Sequence, residues 1–439
     1  MGRQPFGLAS PAAWLRAQGH QVHCVDLAVS PLPLDVAGQA GLVAIHLPMH
    51  TATRLAAPVI ERVKRLNHEA HLCCYGLYAP LNEAYLRRLG AGTILGGEFE
   101  PGLRDLAARL ERGENGAQRE ELVSLDRLRF LTPDRSDLVG LERYGALRDN
   151  GRRKQAGYTE ASRGCKHMCR HCPVVPVYQG RFRLVQSDVV LEDIRQQVAS
   201  GAEHITFGDP DFFNGPGHAR RLVEALHQEH PGLTYDVTIK VEHLLARRDL
   251  LPVLAATGCV LVTSAVESLD NRVLEKLEKG HTREDFFRVV ELFDACGLAL
   301  APTFIPFTPW TTWDGYRELL RVVAQLRLVN NVAPVQLALR LLIPSGSRLL
   351  ELAQIRERLR GYDEAALIHR WEHEEESLDL LGARLLKLVA RMQSDERTRP
   401  EIFNAIWREA YQDAAAEPPR EYDLMPRVTV PYLEEPWYC

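Results

Sequence analysis

Three cysteines stand close together in the run Ser162-Arg163-Gly164-Cys165-Lys166-His167-Met168-Cys169-Arg170-His171-Cys172-Pro173. Thiolates so near one another in sequence can share only one compact thiophilic centre, and soft sulfur donors select iron–sulfur clusters, zinc or Cu(I). An ordinary [4Fe–4S] cluster takes one cysteine per iron, so three local ligands leave one iron open to a substrate or cofactor. The other reading is a zinc knuckle with His167 or His171 as the fourth ligand. Structural zinc usually takes two ligand pairs separated by a longer loop. Here the second pair is missing, and His171 adjoins Cys172, an awkward place from which to reach the same ion. A disulfide framework is weaker still: the 9 cysteines (Cys24, Cys73, Cys74, Cys165, Cys169, Cys172, Cys259, Cys296, Cys439) are odd in number, and no signal peptide precedes them. A reducing, cytoplasmic setting is expected.

With 46% hydrophobic and 25% charged residues over 439 positions, the composition is that of a soluble globular protein of two or three domains. No apolar run approaches the roughly 18 residues that span a membrane. A net charge of −5 argues against a long nucleic-acid footprint. The Arg-rich stretches 127–135 and 152–154 alternate with Asp and Leu, as a solvated interdomain connection would. A small-molecule substrate is the expected partner, with no nucleic acid and no membrane.

The order of elements predicts an α/β protein. Residues 1–125 alternate strands (22–27, 42–47, 71–75, 93–95) with helices (11–18, 53–67, 81–89, 103–112), which implies a doubly wound, Rossmann-like domain. After a linker at 126–150, residues 151–348 repeat the alternation, with strands at 157–163, 204–208, 235–241, 260–265, 298–304 and 335–342. Six such units imply parallel strands with right-handed crossovers, short of the eight of a full barrel. Residues 349–439 turn helical and charged (351–360, 374–392, 401–409), then irregular where Pro418, Pro419, Pro426, Pro431 and Pro436 fall.

The spacing Cys-x3-Cys-x2-Cys resembles the signature of the radical S-adenosylmethionine (radical SAM) superfamily. That resemblance implies a partial (β/α)6, TIM-like barrel with a [4Fe–4S] cluster on the loop after its first strand. It also implies S-adenosylmethionine (AdoMet) chelated by the open iron, and an external reductant of flavodoxin or ferredoxin type. Residues 5–8, 13–16 and 19–22, with Gly96-Gly97-Glu98-Phe99-Glu100, resemble the cobalamin-binding-type domain found before many such barrels. The chain starts almost directly at this phrase, so the usual first strand is expected to be missing or shortened. No Asp-x-His-x-x-Gly stretch supplies a cobalt-ligating histidine, and His46 and His50 do not fit that pattern, so activity without added cobalamin is expected.

By the same resemblance, Cys165, Cys169 and Cys172 are the metal ligands. Gly208 and Asp209 receive the AdoMet amino group, and Ser264 and Glu267 reach its ribose or amino acid part. His171 takes the place of an aromatic residue against the adenine. Arg340, ending the sixth strand, precedes Ile343-Pro344-Ser345-Gly346-Ser347, similar to a family turn that meets adenine and ribose at Pro344. Lys240, Glu242 and His243 close the third strand, where a buried charge is costly unless paired or ligand-bound; Lys240 is the one assigned to the cofactor.

The barrel and tail are similar to a group of radical SAM proteins with a Cys-Cys-Ala-Glu-Pro or selenocysteine-containing tail, whose relatives include the radical enzyme of arsinothricin biosynthesis. Glu434-Glu435-Pro436 keeps the Glu-Pro but not the paired cysteines. The resemblance, with Cys73, Cys74 and Cys439 as soft ligands for a thiophilic species, implies a transferase moving a 3-amino-3-carboxypropyl group from AdoMet to trivalent arsenic. The tail would fold over the barrel mouth and present Cys439. The alternatives are cobalamin-assisted methylation or rearrangement of a natural product, and a non-catalytic iron–sulfur electron carrier. A carrier would fill all four iron sites and would not need six strand–helix units.

Overall fold

Two main sheets, the first parallel and the second mixed, carry the chain in a computed structural model that describes residues 2–114, 116–411, 419, 424–426 and 430–434. The first sheet consists of β1 (Leu42–His46), β2 (His71–Tyr75), β3 (Thr93–Gly97) and β4 (Val123–Ser124), in that spatial order and all parallel. Successive side chains point to opposite faces of a strand, and each face has its own core. Ile60, Val63, Leu86 and Ile94 gather beneath the helices His50–Leu66 and Glu83–Leu89. Tyr75, Leu95, Leu103 and Leu106 gather beneath Glu100–Glu111, which packs on Phe6–Arg16. The sheet is doubly wound, as its element order implies. The expected strand over residues 22–27 is not formed, because β1 is the sheet edge and that segment finds no ladder partner.

The second sheet begins with the antiparallel pair β5 (Ala146–Asp149) and β6 (Arg152–Thr159). A separate hairpin, β7 (Ser162–Gly164) with β8 (Phe182–Leu184), brackets the cysteine run. Then come β9 (His204–Phe207), β10 (Thr234–Thr238), β11 (Cys259–Glu267) and β12 (Ala299–Phe304). The order β6-β9-β10-β11-β12 is parallel throughout and curls into a half-barrel. Ile205, Phe207, Tyr235, Val237, Val262, Leu300 and Phe304 pack outward into the main core. Alternation leaves Thr206, Asp236, Thr238, Thr263, Ala265 and Thr303 on the inner face. Five strands form where six were expected. At the sixth position, Pro334–Leu337 is a 3-10 turn, Gln336 Oε1 accepts the Phe304 N–H at 3.2 Å, and a single bridge between Phe307 and Arg340 continues the sheet.

The helices Glu376–Ser394 and Arg399–Ala410 cover the end of the barrel through Leu381, Leu385 and Ile406. Residues 351–360 are not the expected helix. Only Ala353–Arg356 turns, and β13 (Leu359–Asp363) pairs antiparallel with β14 (Ile368–Trp371). Trp371 is the reason: it is buried with Ile343, Leu349 and Ile355 in a small core that the hairpin closes. The described part of the tail, β15 (Tyr432–Leu433), does not cover a mouth. It pairs antiparallel with β5 at the sheet edge, and Glu434 forms ion pairs with Arg148 and Arg153.

The two sheets meet at Arg163, in β7. Its guanidinium is bidentate to Glu100 (2.9 and 2.6 Å), bonds Glu160 at 2.8 Å and lies 3.3 Å from Glu98. The rings of Phe6, Phe99 and Phe130 stand 5.0–5.4 Å from its Cζ atom. Removing one partner from a buried ionic group leaves the others uncompensated. Arg163→Met should therefore cost about 3–5 kcal/mol of unfolding free energy, read from chemical denaturation.

Burial pushes the Glu98 carboxyl up to about 7 despite Arg163. Folding thus takes up a proton between the ordinary value of 4.5 and about 7, and stability falls as pH rises through that window. In Glu98→Gln the denaturation midpoint should decline less between pH 5 and 8 than in the parent chain. An unchanged slope would show that Glu98 is not the group responsible.

Candidate active site

The cysteine loop leaves β7 at Gly164, whose φ is 73°. A Cβ there would lie 2.4 Å from Tyr178 Cδ1 and 2.5 Å from the Arg181 carbonyl, so the exit from the hairpin requires glycine. The loop is pinned from several elements. The Lys166 N–H donates to Asn214 Oδ1 (3.2 Å) and the Arg170 N–H to the Leu277 carbonyl (3.0 Å). Ser347 Oγ donates to the Arg170 carbonyl (3.3 Å), and Arg348 Nη1 to the Met168 carbonyl (2.6 Å).

Cys169 is buried and Cys165 and Cys172 are half-buried. Burial pushes the Cys165 thiol up to about 11 and the Cys172 thiol to about 12, so a metal must displace their protons to bind. The three thiols lie within electrostatic reach of one another. Two buried lysines flank them: Lys279 acts on Cys169 and Cys172, and Lys240 on Cys165. Three soft donors with buried cations to offset thiolate charge fit a three-cysteine iron–sulfur cluster.

At the C-terminal end of β11, a register shift after Ala265 turns Glu267 into a left-handed conformation with φ 68°, the kind of local strain found at functional sites. Its Oε1 receives His171 Nε2 at 3.1 Å and Lys279 Nζ at 3.3 Å. Burial alone would raise this carboxyl, but Lys279 and His171 outweigh it and hold it at about 2. The structure thus joins two residues expected at the cofactor, His171 and Glu267, and adds Lys279. His171 Nδ1 is buried without a hydrogen-bond partner.

Gly208 sits where Tyr158 crosses it: a Cβ would fall 1.7 Å from the Tyr158 hydroxyl. Asp209 is buried, with one oxygen accepting Ser162 Oγ (2.5 Å) and the other the Ala161 N–H (2.9 Å). Its carboxylate therefore braces the approach to the cysteine loop, instead of standing free for an ammonium. Lys240 Nζ lies 3.2 Å from Glu242 Oε2. Lys240 caps the helix Val241–Ala246, so Glu242 and His243 stand on that helix and not on a strand. Asp211, after β9, lies against both His243 and His167, a grouping drawn from three elements that the sequence reading did not assemble.

Other expected site residues stand elsewhere. Ser264 shares the outward face of β11 with Val262 and is registered against Pro302; its buried Oγ has no hydrogen-bond partner. Arg340 stacks 3.6 Å over Trp371, donates to the Trp371 carbonyl and pairs with Asp379, so its charge serves the C-terminal region. Pro344 bridges to Ile368, and the adjoining Ser347 holds the cysteine loop. Cys73 and Cys74 are fully buried, and as neighbours on β2 they enter two different cores. They cannot face one substrate. Cys439 lies outside the described residues.

Residues 159–323 match the Radical SAM superfamily. They form a radical SAM domain. Curated relatives include the tRNA-2-methylthio-N(6)-dimethylallyladenosine synthase of Fusobacterium nucleatum, 26% identical over 188 residues, covering 38% of this chain and 40% of that protein. The ribosomal protein uS12 methylthiotransferase RimO of Pelotomaculum thermopropionicum is 23% identical over 179 residues, covering 39% and 40%. The chain spans about two fifths of the length of these relatives.

The solved structure of the cobalamin-dependent S-adenosylmethionine radical enzyme OxsB with aqua-cobalamin bound superposes with a TM-score of 0.71 at 15% identity, covering 89% of this chain and 65% of that one. TsrM, the radical S-adenosylmethionine methyltransferase from Kitasatospora setae, gives 0.59 at 19%, covering 74% and 68%. The fold of the radical SAM domain, with the sheet before it, is that of cobalamin-dependent radical SAM enzymes. When bound, the [4Fe–4S] cluster of this family supplies the electron that breaks a carbon–sulfur bond of AdoMet. The residues here that would hold it are Cys165, Cys169 and Cys172.

The two histidines weighed for cobalt, His46 and His50, are both engaged within the fold. The His46 ring lies against Gly7 and Gly76, 5.1 Å from the Tyr75 ring centroid, and burial lowers it to about 4. His50 Nε2 bonds the Ala366 carbonyl at 2.6 Å.

The Glu267–Lys279 pair yields a test. Lys279→Met strands a buried carboxylate and should cost about 3–5 kcal/mol. Lys279→Met with Glu267→Gln should recover most of it, and strictly additive losses in denaturation experiments would rule out the coupling.

Proposed function

We propose that the protein is an enzyme that cleaves AdoMet reductively at a [4Fe–4S] cluster held by Cys165, Cys169 and Cys172, and uses the product to transform a small molecule. The observation that carries this reading is the placement of the three thiols. They lie at the C-terminal mouth of a parallel half-barrel, where such barrels carry their sites, with Lys240, Lys279 and the strained Glu267 around them. Lys279 and His171 keep Glu267 ionised as a hydrogen-bond acceptor, suited to ribose hydroxyls. The inner face beyond it carries Thr206, Thr238, Thr263 and Thr303, which suit a small hydrogen-bonding substrate. An external low-potential donor supplies the electron. An electron carrier fits less well, since the five other described cysteines stand away from the loop: Cys24 beside Asp137, Cys73 and Cys74 in the N-terminal cores, and Cys259 and Cys296 at the main core.

Cobalamin assistance is the second reading. It is favoured by the likeness to OxsB over 89% of the chain and by a cleft of about 400 Å³ at the end of β3, lined by Gly96, Glu98, Gly102 and Ser124. With no histidine among the described residues that line that cleft, cobalt held there would carry no imidazole from them. Aminocarboxypropyl transfer to trivalent arsenic is the narrower reading, supported by the likeness of the tail; the burial of Cys73 and Cys74 leaves Cys439 as its remaining thiol.

Anaerobic reconstitution should load about four iron and four sulfide per chain, by the one-thiolate-per-iron rule. Cys165→Ala, Cys169→Ala or Cys172→Ala should abolish both the cluster and AdoMet consumption. Stoichiometric zinc with no iron after anaerobic purification would overturn the assignment. Adding hydroxocobalamin and arsenite separately, and identifying the AdoMet fragment released, distinguishes the two narrower readings.

A further inference from the structure

A cluster that takes its electron from outside the chain needs a face where the donor can come close, because electron transfer weakens steeply with distance. Most sides of the cysteine loop are engaged. Val174, Val177 and Tyr178 pack on Leu77, Leu81 and Val123 from the first sheet's connections, and on Cys165 and Cys172. Toward β11 stand His171, Glu267 and Lys279. The barrel mouth is the route for AdoMet and substrate. The remaining side is solvent. There Lys166 is exposed and Met168 is 40% exposed, and both lie between Cys165 and Cys169 in the chain.

A sharp turn completes this outer side. The chain leaves the helix Val174–Tyr178 through Gln179 and Gly180, with φ of 49° and 75°. Met168 lies against that turn: a Cβ on Gly180 would stand 3.1 Å from Met168 Sδ and 3.5 Å from the Lys166 carbonyl. Arg181 follows and is exposed. Neither the Lys166 nor the Arg181 side chain has an ion-pair or hydrogen-bond partner among the described residues. Leu184, 39% exposed, lies on Gly215 beside Asn214, the residue that receives the Lys166 N–H. On the other flank the cations are compensated. Arg348 holds the Met168 carbonyl, and Arg348 and Arg170 share Glu278 and Glu351. Two unpaired cations beside an exposed thioether therefore remain, in a chain whose net charge is −5.

We propose that Lys166, Met168 and Arg181, with Leu184 at the margin, form the docking face for the electron donor, a small acidic protein carrying a low-potential one-electron group at its surface. The proposal rests on the cluster assigned above to Cys165, Cys169 and Cys172. Charge selects the partner: an acidic donor is repelled by the chain as a whole and drawn to its two unpaired cations. Met168 supplies an apolar centre that adapts to varied surfaces. A small, charge-steered face gives the weak encounter typical of redox partners, and the donor must leave after each delivery. In each encounter the donor is oxidised by one electron and the cluster reduced by one, with no bond made or broken.

The test uses the full-length chain with its cluster reconstituted, and the hydroquinone form of an acidic flavodoxin as the probe. In stopped-flow measurements at low salt, Lys166→Glu combined with Arg181→Glu should slow cluster bleaching by the flavodoxin about 10-fold or more. Bleaching by dithionite should stay close to that of the parent. Arg152→Glu, at the start of β6 and so at the opposite end of the half-barrel, should leave both rates unchanged. The parent's flavodoxin rate should drop as salt rises, and the double variant should lose that dependence. Binding of oxidised flavodoxin, which delivers no electron, should weaken in parallel by calorimetry. Equal flavodoxin rates in parent and double variant, a salt-independent rate in the parent, or equal slowing by Arg152→Glu would overturn the docking face. A chain that loads no cluster fails the cluster assignment itself, and the docking face falls with it.

Discussion

One guanidinium, that of Arg163, is shared by Glu98 and Glu100 from the first sheet and Glu160 from the approach to the cysteine loop. Three carboxyls cannot all ionise cheaply around one cation in a dry setting. Glu100, bound bidentate, is pulled below the ordinary range against burial, while burial raises Glu98 and Glu160. Phe6, Phe99 and Phe130 exclude water and present their ring faces to the cation. Cys165 follows only two residues later. The relative placement of the two sheets and the start of the cysteine loop therefore depend on the same ion cluster.

From that anchor the loop is stretched over the barrel mouth and tied to the ends of several strands. Its backbone accepts from Ser347 and Arg348 and donates to Leu277 and Asn214. Such bracing fixes the positions of thiols that would otherwise sample many arrangements, which lowers the entropy that metal binding must still overcome. Lys240 and Lys279 add the electrostatic part. A buried ammonium is tolerated here because Glu242 and Glu267 sit within 3.3 Å, and the same ammonium groups offset part of the burial that raises the Cys165 and Cys172 thiols.

Much of this was legible in the sequence, for physical reasons. The cysteine ligands are local, so their spacing suffices to place them on one loop. The parallel strands of the half-barrel are buried and apolar on one face, and period two survives in β9, β10 and β12. The expected sixth strand does not form, because Pro334 and Gln336 build a turn that satisfies Phe304 by a side chain, and composition does not distinguish that from a ladder. The segment 351–360 looked helical by charge pattern, but burial of Trp371 decides its fold. Cys73 and Cys74, expected to serve one thiophilic species, are adjacent residues of a strand and so point apart into different cores. Glu267 and His171 were found by position, whereas Lys279, Asp211 and the facing His167 and His243 come together only when separate elements fold.

The pairing of β15 with β5 has a temporal side. Arg148 and its strand leave the ribosome 284 residues before Tyr432, the residue they finally meet (432 − 148 = 284). Throughout that interval β5 presents a free edge, the kind of surface that recruits stray strands. Nascent chains of this length fold by intermediates whose unpaired edges favour aggregation. The edge is closed only by a segment synthesised long after it, so products stalled before Tyr432 carry an open strand that the folded protein does not.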